Sequence, residues 1–572
     1  MSQPPRIRPL SAGFSYRVGP QPAPAAQPGA APPGPPPPQS LLDAIGEKIA
    51  ARDMPAAFAA AEAALAEGYE HPALLNLSAG RLEAEGKPGE ALIRLQRARH
   101  LAPGDPGVVN ALGLCLLALE APAEAEAVFR DLLALVPDFA PAHANLGQAL
   151  SASGRLDRAG GAYRRALEID PDQLIALAGL AVIAARRGAF AEAESLADRV
   201  LARAPDAADA LMAKARAEVD DGRLGEAEAR LRKLIADPRL PGVGTADALN
   251  LLGDVLDLRG ERLGAFGAWS GGNDILRRHY AHRFAGTGAV EHTRRMDGWL
   301  ARHPGRLKSP TIDSLPPGPA RSHVFLLGFP RSGTTLLEAA LTGSPEVIAL
   351  EEQEALADGV RRYLRDPTDL SALADAGPAD IAAFRDAYWK RVREAGLDPE
   401  GKVFLDRYPL NSLKLPLIQR LFPEATILFA LRDPRDVVFS CWRRRFQMSA
   451  PMFHLLDLRS AAGFYDAAMT LSMRLEGQSA SAWTFVRHEA LLEDFTSVMQ
   501  SICQTVGVEW TEAMRDVGAR NADRAIATPS AAQLAGGLRT DGGGAWRPYA
   551  ERVAEPFAPL APWLSRFGYP ES

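Results

Sequence analysis

Eight consecutive residues, Gly328-Phe329-Pro330-Arg331-Ser332-Gly333-Thr334-Thr335, have the make-up of a loop that holds an anion. The spacing Gly328-x4-Gly333 is that of a nucleotide-triphosphatase loop, but Thr334 stands where such loops carry lysine. That lysine sits on the β- and γ-phosphates beside a magnesium ion, so its replacement argues against an ordinary kinase or ATPase. Arg331 offers instead a planar fork of donors inside the loop. The backbone N–H groups of Ser332 to Thr335 would converge at a helix N-terminus, where the dipole also favours negative charge. About a hundred residues further on stands a second basic group, Arg432-Asp433-Pro434-Arg435-Asp436, followed by Ser440. Asp433 reads as a helix cap and Pro434 as the first helical residue. Arg432 then lies at the end of the preceding strand, where with Ser440 it could hold a second phosphate.

These groups need elements to aim them. Val324–Leu327 is an apolar strand running into the loop, and Leu336–Leu341 has a helical pattern after it. Ala425–Leu431 is a second buried strand feeding Arg432. Short apolar runs alternating with helical ones predict a parallel α/β sheet, whose ligands bind beyond the carboxyl ends of the strands. Upstream the texture differs. Ala57, Ala91, Ala125, Ala159, Ala193 and Ala227 recur every 34 residues, as do Pro103, Pro137, Pro171 and Pro205, and Gly154, Gly188 and Gly222. A 34-residue period is the tetratricopeptide signature, a helix–turn–helix unit that buries its apolar face only against its neighbours. The pattern slips near Pro238 and resumes at Leu252-Gly253 and Ala265. The expected organisation is a disordered or polyproline-like arm over 1–40, an all-α tetratricopeptide solenoid over 41–285, a linker over 286–320 and an α/β P-loop-type parallel-sheet domain over 321–572. The arm holds 13 of the 46 prolines, too many for a packed segment.

Pro330-Arg331-Ser332-Gly333-Thr334-Thr335, followed by Arg432 and Ser440, resembles the sulfotransferase family over roughly residues 321–570. Within it the tyrosylprotein sulfotransferases and the bacterial repeat-bearing sulfotransferases are the most similar. The resemblance implies the donor PAPS (3′-phosphoadenosine 5′-phosphosulfate) and no metal. Arg331, Ser332, Gly333, Thr334 and Thr335 would then grip the 5′-phosphosulfate, with Arg331 also catalytic. Arg432 and Ser440 would grip the 3′-phosphate, with Arg444 near the nucleotide. The tyrosylprotein enzymes carry a Glu-Glu pair whose second member is the general base, which implies Glu352 in Leu350-Glu351-Glu352-Gln353. Leu405-Asp406-Arg407-Tyr408-Pro409 resembles the family's Lys-x-Pro segment with Arg407 in place of the catalytic lysine. Thr528-Pro529-Ser530-Ala531-Ala532-Gln533 resembles a Ser-x-x-Gln segment, which implies that Ser530 hydrogen-bonds the leaving group. Trp546 matches a family tryptophan preceded by a basic residue, but Ala545 stands there, so either Arg547 substitutes for that 3′-phosphate contact or the contact is missing. His488 occupies a position where the family usually has tyrosine. Standing alone, it reads as a structural histidine.

Composition sets the outer bounds. The chain has 572 residues, 64 Lys and Arg against 70 Asp and Glu, and a formal net charge of −6. A general nucleic-acid binder would need a basic surface. No apolar run reaches the ~18 residues of a membrane span, and the N-terminus lacks the apolar core of a secretory signal. Cys115, Cys441 and Cys503 are far apart and match no metal or disulfide framework, which points to a reducing, cytoplasmic compartment. The sequence therefore predicts a sulfotransferase acting on a protein or peptide hydroxyl, tyrosine first, with the repeats binding the acceptor or a partner, or forming a homodimer. The competing expectations are a carbohydrate, lipid or small-molecule acceptor, and an inactive PAPS-binding scaffold.

Overall fold

The computed structural model describes residues 34–240, 242–286, 288–307, 318–479, 481–517 and 543–570. The chain divides into two compact units, Met1–Ala184 with Glu192–Ala210, and Ala185–Ala191 with Leu211–Ser572.

The first unit is a run of helix pairs beginning with Gln39–Ala50 and Met54–Ala66. The 34-residue period is written in its backbone as well as its side chains. Arg52, Gly86, Glu120 and Gly154, with Gly188 and Gly222 beyond them, hold the same turn position with φ between 55° and 77°. Glycine adopts that left-handed turn freely, whereas Arg52 and Glu120 do so against their Cβ atoms. The recurring alanines from Ala57 to Ala227 are fully buried where adjacent helices touch. At Gly113 and Gly147 a Cβ would meet the rings of Phe129 and Tyr163 at 2.5 and 2.4 Å, so the aromatic of one helix seats on the glycine of its partner. Most of the proline-rich arm, residues 1–33, lies outside the described residues. Its last part is packed: Gly34 N donates to Glu70 Oε2 at 2.8 Å, and Glu70 N donates to Pro35 O at 3.0 Å.

The second unit combines the last repeat helices with a five-stranded sheet. Strands β1 (Ser322–Gly328), β2 (Val347–Glu351), β3 (Val403–Arg407), β4 (Thr426–Leu431) and β5 (Trp483–Arg487) lie in the order β2-β3-β1-β4-β5. Every pairing is parallel. Leu326, Leu405, Leu428 and Val486 from four of the strands join Leu337 and Ala340 of the helix after β1 and Met499 and Ile502 of a later helix in one core. Burial of both faces explains why these strands read as apolar runs rather than alternating ones.

Besides the packed end of the arm, two features differ from the sequence expectation. The stretch expected as a linker contains a helix, Ala289–Arg302, which buries Thr293, Met296, Trp299 and Leu300 along one face. Trp299 Nε1 donates to Ser371 Oγ at 3.1 Å and Arg474 Nη2 donates to Asp297 Oδ2 at 3.2 Å, tying it to the sheet domain. The second feature concerns the last repeat helices, Gly242–Leu258 and Arg262–Phe284. They pack on the helix Pro434–Arg443, which follows β4. Asn250 Nδ2 donates to Arg443 O at 2.7 Å and Asn273 Nδ2 to Trp442 O at 2.9 Å. Both carbonyls belong to the final turn of a helix, which lacks intrahelical donors. The last repeat hairpin thus supplies the caps of a helix in the sheet domain. Among the described residues, no helix is long and apolar enough to cross a membrane.

Candidate active site

All five strands release their chain at the same edge of the sheet, and each delivers a polar group there. β1 gives the 329–333 loop, β4 gives Arg432 and β5 gives His488. β2 gives Glu352, and β3 ends in Arg407, in register with Glu351.

The loop after β1 feeds the helix Thr334–Leu341, with Gly333 at its cap in the left-handed region. Ser332, Thr334 and Thr335 are buried, and Ser332 N donates to Phe329 O at 3.1 Å, closing the turn. Arg331 is a left-handed non-glycine residue with φ 72°. Its side chain is buried and its Nε donates to Ser440 Oγ at 3.0 Å. Arg432 Nη1 donates to Arg331 O at 3.4 Å, and Cys441 Sγ to Pro330 O at 3.3 Å. Arg331, Arg432 and Ser440, a hundred residues apart in the chain, therefore form one cluster. Burial, then the charges of Arg444, Arg432 and Arg443, push the Arg331 guanidinium down to about 9. An arginine stays charged at neutral pH, so the depression registers burial first and neighbouring positive charge second, and an anion at this edge would offset both. The residues present fit a phosphate- or sulfate-bearing nucleotide.

Two further predicted groups stand at the margins. Arg444 contributes to the positive field at Arg331, and its Nη1 donates to Asp254 Oδ2 at 2.9 Å. Arg547 is exposed one residue after the buried Trp546, whose ring lies 4.2 Å from the Arg435 guanidinium. Asp436 fixes this stretch by accepting from Gly544 N at 2.7 Å and Ala545 N at 2.9 Å. Ser530 lies outside the described residues.

The carboxylates gather on the other side of β1. Glu352 N donates to Arg407 O at 3.0 Å, one step past the ladder, and Glu352 then turns out of the strand with φ 47°. Among the described residues of the sheet domain, Arg331 and Glu352 are the two non-glycine residues with positive φ. Such strain, worth about 1–3 kcal/mol each, persists where the surroundings over-determine it and clusters at functional positions. Arg407 is fully buried and meets three carboxylates. Its Nη1 donates to Glu352 Oε1 at 2.9 Å, its Nη2 to Glu351 Oε1 at 2.6 Å, and its Nε faces Glu338 of the loop helix. Burial raises the Glu352 carboxyl above its ordinary value, Arg407 opposes this, and Glu351 adds to it.

His488 is the residue that sequence reasoning set aside. It is held so close to the loop that a Cβ on Gly333 would lie 2.6 Å from its Nδ1. That nitrogen is buried with no hydrogen-bond partner among the described residues. Burial, Arg432 and Arg331 push the imidazole down to about 3, so it is neutral beside the loop. Its signal in the sequence was positional: it opens the segment after a strand, at the ligand-binding edge.

An anion-type loop, a buried arginine cluster and a set of carboxylates thus share the carboxyl edge of one parallel sheet. Residues 323–512 match the sequence model of the sulfotransferase family, and residues 82–150, 116–183 and 150–217 match the tetratricopeptide repeat. The chain thus carries tetratricopeptide repeats followed by a sulfotransferase-family domain. It is similar to protein-tyrosine sulfotransferase A of Caenorhabditis elegans, 24% identical over 261 residues, 43% of this chain and 67% of that protein. It is 22% identical over 196 residues to protein-tyrosine sulfotransferase 1 of Danio rerio, covering 33% of this chain and about half, 54%, of that one. Among solved structures, a tetratricopeptide repeat protein of Parabacteroides merdae is 18% identical with TM-score 0.33, covering 41% of this chain and 92% of that one.

Proposed function

We propose that the protein is a PAPS-dependent sulfotransferase that moves a sulfuryl group to the hydroxyl of a tyrosine in a protein or peptide. The observation that carries this reading is the convergence of Arg331, Arg432 and Ser440 at the sheet edge where Glu352 also emerges. PAPS supplies a sulfuryl group already attached to a good leaving group. Arg331 and the backbone of Ser332 to Thr335 bind the donor's 5′ end and stabilise the charge that develops there, which in sulfuryl as in phosphoryl transfer is most of the catalytic task. Arg432 and Ser440 hold the 3′-phosphate, with Arg444, His488 and Arg547 near them. Glu352 takes the acceptor proton, and Arg407 acts through Glu352 by holding its carboxylate. Ser530 is assigned to the leaving group on the family resemblance alone. A tyrosine hydroxyl, with pKa near ~10, needs such a base as its O–S bond forms.

The repeats select the acceptor or a partner protein, a use to which concave repeat surfaces are suited. Three buried thiols suit a reducing, cytoplasmic setting. Incubation with ³⁵S-labelled PAPS and a mixture of tyrosine peptides, sugars and lipids tests the reading. Label is expected in the peptides and to be recovered as tyrosine sulfate. Label confined to small molecules would transfer the assignment to another acceptor class, and nucleotide binding without any transfer would leave a scaffold.

A further inference from the structure

One guanidinium serves three carboxylates at this site. Arg407 and Glu338 are almost fully enclosed, with side chains 1% and 3% exposed, whereas Glu351 and Glu352 reach solvent with about a third of theirs. Glu338 belongs to the helix that opens at the anion loop, Glu351 to the edge strand β2, and Glu352 to the turn after it. Three negative charges facing one positive charge cannot all be neutralised, and in a low-dielectric setting each competes for the same fork of donors. Glu338 is the carboxylate with least access to water, so its claim on Arg407 is the strongest.

We infer that Glu338 is a positioning residue: by occupying the Nε side of Arg407 it decides how much of that guanidinium is left to neutralise Glu352. The loop helix and the base are thereby joined through one arginine. The kinetic consequence of this inference rests on the reading of Glu352 as base, while the electrostatic part does not. Burial disfavours the charge on Arg407, and Glu338 offsets this more than Glu352 or Glu351 does. The groups facing Glu352 are Arg407 from β3, Glu351 from β2 and the Tyr408 hydroxyl from the turn after β3. Beyond them Lys414 is engaged by Glu354.

The test follows carboxyl bands in the free protein by pH-difference infrared spectroscopy, with the Glu352 band identified by its loss in Glu352→Gln. In Glu338→Gln, Arg407 is relieved of its main competitor, and the Glu352 midpoint is expected to fall by about half a pH unit or more. Glu338→Asp, which keeps the charge but withdraws it from the Nε side of Arg407, should move it the same way and provides the answer should Glu338→Gln not fold. A Glu352 midpoint that stays in place in these variants overturns the inference. With PAPS and a tyrosine peptide, the acidic limb of kcat/KM in Glu338→Gln should shift by the same amount while affinity for the nucleotide bisphosphate product is retained. Undiminished turnover in Glu352→Gln would remove the base assignment, leaving the spectroscopic result to judge Glu338 by itself.

Discussion

Arg331 and Glu352 show at the residue scale how one site uses strain and burial together. Both adopt backbone angles that favour glycine, yet each carries the side chain that the proposed chemistry requires. The expected consequences separate cleanly. Glu352→Gln should lower turnover by ~10²–10⁴, the usual worth of a positioned base, with nucleotide affinity close to that of the unsubstituted protein. Arg432→Ala should do the reverse, weakening nucleotide binding by about tenfold or more in a calorimetric titration, because a charge-assisted contact to phosphate is lost. The pH profile has a definite sign. In the proposed role of base the working form of Glu352 is the carboxylate, and burial raises its pKa. Activity should therefore fall with decreasing pH through a midpoint above that of an ordinary glutamate.

At the scale of elements, the helix Pro434–Arg443 is the one on which most depends. It presents Ser440 to Arg331 on one side, and its last turn is held by the final repeat hairpin on the other. Arg443 lies 4.0 Å from the Trp269 ring and pairs with Asp254 at 3.3 Å and Asp257 at 3.1 Å. Arg445 pairs with Asp247 at 2.6 Å. Asp247, Asn250, Asp254 and Asp257 follow helical spacing along Gly242–Leu258, so one polar stripe meets one run of arginines. Asn273→Ala leaves the Trp442 carbonyl buried without its donor and should cost about 1–3 kcal/mol in urea unfolding. The same variant should weaken nucleotide binding, because the capped helix carries Ser440. A loss of stability with unchanged affinity would show the cap to be structural alone.

Across the whole molecule, a buried polar chain beneath the site links folding to pH. Tyr388 donates to Asp406 Oδ2 at 2.7 Å and Asn411 to Oδ1 at 3.0 Å, while Asp406 itself is fully enclosed beside Arg407. Burial, against the favourable contacts of Tyr388, Lys414 and Asn411, pushes its carboxyl up to about 7. A carboxyl raised on folding takes up a proton between its unfolded value, near ~4, and about 7. Its contribution to stability is full below the lower value and is lost as pH rises through the upper one. Asp406→Asn, which removes that titration, should flatten the decline in urea midpoint between about pH 5 and 7.5. A parallel decline in both proteins would assign the pH dependence to other groups.

The sequence by itself determined the features that depend on neighbours in the chain. The 34-residue step fixes the turn positions from Arg52 to Gly222, because each hairpin repeats the same local problem. The strand–loop–helix around Gly328–Thr335 and the capped helix after Arg432 were legible for the same reason, as local patterns with local causes. Even the Ala289–Arg302 helix had its signal, in the spacing of Thr293, Met296 and Leu300, though the surrounding Gly and Pro suggested a linker. Only the tertiary structure decided which distant charges meet. Arg407 resembled a catalytic cation in sequence, but folding surrounds it with Glu338, Glu351 and Glu352. Arg444 resembled a nucleotide-side arginine in sequence, and folding brings Asp247, Asp254 and Asp257 to face Arg443, Arg444 and Arg445. His488 gains its place from the packing of the β5 end against the loop after β1. Periodicity and propensity record what a residue does to its own segment, whereas a side chain's partner is set by the sheet order and helix packing of the whole chain.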